Sequence, residues 1–254
     1  MFELSPLPAG SPEALLAAAG ERMRRQGFAV LDALQLASMC GYAPQALASL
    51  QPLWDDLPAD GYLLDGGHYR RRRHASLVLD LERAAQQLVP QRAHYQPTSY
   101  NSLHGGLVRW YEALDPSLTA APAWQLLVSG LGRLFASLHP TRQWFVEAHQ
   151  FRIDTSDGVG RPTPEGAHRD GVDFVAVLLV QRHAIRGGET RVFEQDGPLG
   201  VRFTLAQPWS VLLLDDTRVV HESTPIMPLQ HDAAGWRDTL VLTWRSGGFM
   251  DPPA

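Results

Sequence analysis

From residue 143 onward, short apolar runs alternate with turns rich in Gly, Pro and Asp. The runs are Trp144–Ile153, Val172–Val180, Thr190–Phe193, Gly200–Leu205, Trp209–Leu214, Val219–Val220 and Trp236–Trp244. Many short strands at this spacing predict an antiparallel sandwich or barrel, and the length suits an eight-stranded jelly roll. Before residue 143 the pattern is mixed. Ser11-Pro12-Glu13 opens a helix with a capping hydroxyl, a proline in the first turn and an acid at the positive dipole end. Arg22, Arg24 and Arg25 fall in its last turn, and Gly27 stops it. Phe28–Leu31 reads as a strand, 33–52 as further helix, 56–70 as loop and Leu118–Leu138 as a longer helix. The fold class expected is α+β: a double-stranded β-helix (jelly roll) with N-terminal and flanking helices. One domain is expected over 1–254. It comprises a helix-rich wrapping region with a few strands (1–142), the jelly-roll core (143–245) and a tail (246–254).

Composition narrows the chemistry. At 44% hydrophobic with a net charge of −5, the chain can bury a core and is not disordered. Its longest apolar runs, Phe174–Val180 and Val211–Leu214, fall far short of the roughly 20 residues a membrane span needs. The first residues, MFELSPLPAG, do not read as a secretory leader. A lone cysteine, Cys40, can form neither an internal disulfide nor a zinc finger and is expected to be inert; a cytoplasmic setting follows. All 22 basic residues are arginine. Without lysine there is no Schiff-base chemistry, no P-loop and no protein-kinase site. Arginine remains, and it grips carboxylates in bidentate geometry. The negative balance argues against nucleic acid as partner. The expected partner is a small molecule, with no membrane contact and a homodimer left open. No G-x-S-x-G elbow is present, and Gly130-Leu-Gly132 lacks the third glycine of a dinucleotide fingerprint.

The candidate chemistry lies in the C-terminal half. The loop PTPEGAHRDG ends in His168-Arg-Asp170 and runs into the most apolar strand. Gly187-Gly188-Glu189-Thr190 follows, then Val219-Val220-His221, then Arg237-Asp-Thr239 opening the last strand. Two imidazoles and one carboxylate suit iron(II) held on one face. They meet only if the sheet folds back on itself, as in a jelly roll. Arg237 and Thr239 are two apart on a strand, so they face the same side and can clamp the far end of a dicarboxylate.

H-x-D, a distal His and R-x-[ST] on the final strand resemble the 2-oxoglutarate/iron(II)-dependent dioxygenases. A narrower resemblance is to the bacterial branch that includes L-isoleucine 4-hydroxylase and related free-amino-acid hydroxylases. It is carried by Tyr100-Asn101, Gly105-Gly106-x-x-Arg109, His149-Gln-Phe-Arg152, HRDG (168–171), GGET (187–190) and WRDTLVLTW (236–244), and it covers roughly 60–245. The resemblance implies that His168, Asp170 and His221 bind iron(II), and that Arg237, helped by Thr239, binds the C5 carboxylate of 2-oxoglutarate. It implies O2 as second cosubstrate, succinate as product and hydroxylation of a small polar substrate, most plausibly a free amino acid. Because Asp170 fills the third ligand place, hydroxylation is expected and halogenation is not. Arg245 is an alternative to Arg237. A cupin-like metalloenzyme without 2-oxoglutarate, or a non-catalytic jelly-roll binding module, are alternative readings of the whole.

Other candidates are weighed by position. Tyr100, Asn101 and Arg109 can form a substrate lid, with Arg109 meeting a substrate carboxylate. Gln150 and Arg152 share a strand face that can line the pocket, which puts His149 on the opposite, core-facing side. His104, His139, His183 and His231 are expected as loop or surface groups. Trp110, Tyr111, Trp124 and Trp144 are expected in the core. Arg70–Arg73 is expected to be a solvated face or strand edge, with a ligand site as the alternative.

Overall fold

The computed structural model describes residues 2–230 and 233–252; His231 lies outside them. The helices are α1 (Pro12–Gln26), α2 (Ala33–Cys40), α3 (Gln45–Ala48), α4 (Pro116–Ala120) and α5 (Pro122–Leu138), with a 3₁₀ turn at Gln51–Trp54. The strands of the N-terminal half are β1 (Phe28–Leu31), β2 (Arg70–Asp80) and β3 (Ala85–Leu88). The rest are β4 (Gln143–Asp154), β5 (Phe174–His183), β6 (Ile185–Gly187), β7 (Thr190–Glu194), β8 (Gly200–Phe203), β9 (Val211–Asp215), β10 (Val219–Ser223), β11 (Ile226–Pro228) and β12 (Trp236–Arg245).

Local chemistry sets the helix ends. Ser11 Oγ accepts from Ala14 N–H, and Gly27, at φ 80°, closes α1 by donating to the Met23 carbonyl. Asp32 and Gln35 form a reciprocal capping box on α2. Gly130 of α5 lies where a Cβ would meet Cys40 Sγ at 2.6 Å, so only glycine lets α5 settle this closely on α2.

The main sheet runs β1-β9-β5-β12-β4-β2-β3. One face is apolar and carries the helices: Ala75, Leu77 and Leu79 of β2, Trp144, Val146 and Ala148 of β4, and Leu240, Leu242 and Trp244 of β12 pack with Leu127, Leu131 and Phe135 of α5. The other face changes along its width. Toward β5 and β9 it is apolar, and Val175, Leu179, Leu212 and Leu214 pack with Val192 and Val219 of the smaller sheet β10-β7-β8. This is why β5 is apolar from Phe174 to Val180: both its faces are covered there. Toward β4 and β2 the same face is polar and lines a cavity. Two layers, the smaller one completed by β6 and β11, make the jelly-roll core of a mixed α+β fold.

Several expectations change here. The N-terminal half does more than wrap the core, because β1, β2 and β3 are members of the main sheet. Arg70–Arg73 is only partly the solvated face expected. It opens β2, paired with β4 on one side and bonded to the 58–60 segment on the other, and while Arg71 is exposed, Arg70 and Arg72 are buried toward the cavity. Trp110, expected in the core, is 58% exposed, and His104, expected as a loop or surface group, lies in a loop but is 1% exposed. Tyr111, Trp124 and Trp144 are buried, as is Cys40.

Candidate metal centre and cavity

A backbone bridge brings the two histidines together. His168 N–H donates to the His221 carbonyl at 3.1 Å, and His221 N–H returns the bond to His168 at 3.0 Å. The loop before β5 is thus stitched to β10 at the positions whose side chains matter. Asp170 is held by the turn after β9. The fully buried Asp216 carboxylate accepts from the backbone N–H groups of Asp170, Gly171 and Val172 at 3.0, 2.8 and 3.1 Å.

The donor atoms of His168, Asp170 and His221 then lie within 4.8 Å of one another. His168 Nε2 is 3.8 Å from Asp170 Oδ1, and His221 Nε2 is 3.9 Å from Asp170 Oδ2. His168 Nδ1 lies 3.0 Å from the Gly166 carbonyl, which orients the ring and leaves Nε2 for a metal. Burial pushes the His221 imidazole down to about 4, so it is neutral and able to coordinate at neutral pH. Two imidazoles and one carboxylate, all on one side, fit a divalent iron with open positions for cosubstrates.

The other predicted residues divide between two faces. Arg237 and Thr239 of β12, each 3% exposed, line the cavity, as do Asn101 and Arg109. Arg237 has neither Nε nor one terminal N–H paired. Arg245 shares its strand face but sits eight residues along, roughly 26 Å at strand rise, and is half-buried. Gln150 and Arg152 are corrected: both face away from the cavity. Gln150 is fully buried, with Nε2 3.4 Å from the Leu53 carbonyl. Arg152 is tied to Asp238 at 2.7 and 2.8 Å and to Asp55 at 3.0 Å. Strand alternation is strict, so exchanging the faces brings His149 into the cavity wall, against expectation.

The cavity also takes in residues that the sequence did not single out. In register across β12, β4 and β2 lie Arg237–Ile153–Arg70, then Thr239–Phe151–Arg72, then Val241–His149–His74. Arg72 is fixed between two rings, 3.9 Å from the Tyr111 centroid and 4.4 Å from that of Phe151, and bonds His149 Nδ1 at 2.7 Å. His94 and Glu147 complete this wall, 3.1 Å apart. His74, His94, Glu147 and His149 cluster tightly enough to suggest a second metal site. The cations around them, Arg72 on His149 and Arg92 at 3.0 Å from Glu147, oppose another one. The alternation Arg70-x-Arg72-x-His74 was the available signal for this wall.

A family model described as 2OG-Fe dioxygenase matches residues 51–243. The chain belongs to the 2OG-Fe dioxygenase family. It is similar over its whole length to the crystal structure of a bsmA homologue from Methylobium petroleophilum, with 52% identity, full coverage of both chains and a TM-score of 0.93. It shares its fold with IDO from Bacillus thuringiensis, at 16% identity and TM-score 0.75 over 92% of this chain and 100% of that one. The Fe(II)/α-ketoglutarate-dependent dioxygenase TqaL is similar at 18% identity and TM-score 0.69 over 93% and 90% of the two chains. No curated protein matches the chain. As a 2OG-Fe dioxygenase the protein uses iron(II), 2-oxoglutarate and O2, with His168, Asp170 and His221 as the iron site. Among the described residues, no helix is long and apolar enough to cross a membrane.

Proposed function

We propose that this dioxygenase hydroxylates a small polar substrate, a free amino acid, acting in the cytoplasm as one domain with no macromolecular partner in the reaction. Bound iron(II), 2-oxoglutarate and O2 supply the oxidising power, and 2-oxoglutarate leaves as succinate and CO2. The chain's own residues bind and orient. Arg237 takes the C5 carboxylate of 2-oxoglutarate, with the Thr239 hydroxyl beside it. The observation behind this assignment is that Arg237 is buried on the cavity wall with no acid within 4.0 Å among the described residues. A permanently charged group so placed needs an anion. Asn101 and Arg109, on the segment facing the metal centre, bind the substrate.

The test is succinate formation by iron(II)-loaded protein with 2-oxoglutarate, O2 and a panel of amino acids. Succinate rising with a subset of them is expected. Arg237→Gln should raise the KM for 2-oxoglutarate strongly and Arg245→Gln should not; the reverse pattern would move the clamp to Arg245. Succinate formation indifferent to every amino acid would remove that substrate class.

A further inference from the structure

The cavity holds more fixed positive charge than its own acids and the cosubstrate can neutralise. Arg70, Arg72 and Arg109 are 6%, 3% and 2% exposed, and all three line it. Their acidic partners are few. Asp60, fully buried behind β2, bonds Arg70 Nε at 2.7 Å and stands 3.9 Å from Arg72, so it neutralises one of the pair. Glu147 is taken by Arg92. Arg109 has only a neutral acceptor, Gln96 Oε1 at 3.2 Å, and no carboxylate within 4.0 Å among the described residues. One N–H on each of the three guanidiniums (Arg70 Nη2, Arg72 Nε and Arg109 Nε) is buried without an acceptor.

The negative side is shorter still. Asp170 belongs to the metal. Glu165 lines the cavity with its side chain 8% exposed: Oε1 lies 3.6 Å from His168 Nε2, Oε2 is buried without a partner, and no arginine lies within 4.0 Å of it among the described residues. With Arg237 assigned to 2-oxoglutarate, and the half-buried Arg245 standing at the far end of β12, the fully buried part of the substrate space is left with two positive charges and one negative charge. Unpaired charge in a dry site is costly, and guanidinium cannot discharge by losing its proton. The sandwich of Arg72 between Tyr111 and Phe151 shows that this charge is built in and held rigid.

We infer that the substrate is an acidic amino acid, with two carboxylates for Arg109 and the Arg70/Arg72 pair and an ammonium group for Glu165. This rests on the proposed function and narrows it: a neutral amino acid would leave one buried guanidinium without a counter-ion.

The experiment compares isosteres. Protein loaded anaerobically with Mn(II) and 2-oxoglutarate is titrated calorimetrically with L-glutamate, L-aspartate, L-glutamine, L-asparagine and L-leucine, and succinate is measured for the same set with iron(II) in air. An acid should bind about tenfold or more tighter than its amide, as expected for a charged hydrogen bond in a buried site. Arg109→Gln and Arg72→Gln should each collapse that ratio toward one, while Mn(II)-dependent binding of 2-oxoglutarate verifies that the variants are folded. Amides or leucine binding and turning over as well as the acids overturns the inference and leaves the amino acid hydroxylase standing. If 2-oxoglutarate binds but no amino acid of either kind binds or raises succinate, both fall together.

Discussion

Gln96 Nε2 donates to Asp170 Oδ1 at 3.0 Å, joining the segment before β4 to the carboxylate ligand of the iron site. The amide cannot turn over. Its Oε1 accepts from Arg109 at 3.2 Å and from Asn101 Nδ2 at 3.4 Å, so two donors hold the oxygen outward and the nitrogen toward Asp170. A substrate carboxylate that draws Arg109 away from Gln96 is therefore felt at the metal ligand. Gln96→Leu removes the donor to Asp170 and is expected to weaken metal binding by about 10–100-fold, the usual cost of losing such a support. Titration with Mn(II) followed by spin resonance measures it. Wild-type affinity in this variant would show that Asp170 needs no support from Gln96.

Divalent metal should stabilise the fold through His168, Asp170 and His221. At a hundredfold excess over Kd the gain is about 2.7 kcal/mol, read as a rise in Tm under anaerobic Mn(II). Asp170→Ala should abolish the rise. A shift that persists in this variant would place the stabilising metal elsewhere, the His74–His149 cluster being the next candidate.

Arg152 is a structural residue. It faces Asp238, whose side chain is fully buried, and sits on the opposite strand face from the cavity. Arg152→Met strands that carboxylate, at a cost of about 3–5 kcal/mol. Denaturant unfolding should show the loss, while the KM for 2-oxoglutarate in the folded fraction stays near wild type. A large KM change with unchanged stability would reverse the assignment.

Acid should destabilise the cavity wall. Burial pushes His94 down to about 4 and lowers His74 and His149 as well, so each imidazole is neutral in the folded protein. The unfolded chain then binds more protons below its ordinary histidine value near 6.5, and stability is lost as pH falls from there toward 4. Glu147 acts in the same direction lower down: burial opposes ionisation, but His94 and His74 hold it well below the usual carboxylate range. His94→Gln should flatten the fall in Tm between pH 6.5 and 4. An equally steep fall in the variant would assign the acid sensitivity to other groups.

Much of the site was legible because its residues sit in short local patterns. His168-x-Asp170 before an apolar strand, a histidine after Val219-Val220, and Arg237-x-Thr239 at the head of the last strand are each readable from spacing, and their order implied a sheet that folds back. The caps at Ser11, Asp32 and Gly27 are local too. Which face of a strand looks inward was not legible. Gln150 and Arg152 alternate with His149 and Phe151, and both sets mix polar with apolar or aromatic groups, so periodicity alone could not orient β4. Only the helices packing on Val146 and Ala148 decided that His149 faces the cavity. For the same reason a run of four arginines read as solvent-facing. Pairing of β2 with β4 put Arg70 and Arg72 inside, because a strand within a sheet must send alternate side chains to each face. The sequence by itself thus determined the ligand set and the strand-rich core. Tertiary structure alone decided which charges are buried together around them, since pairing across β12, β4 and β2 joins residues more than a hundred positions apart.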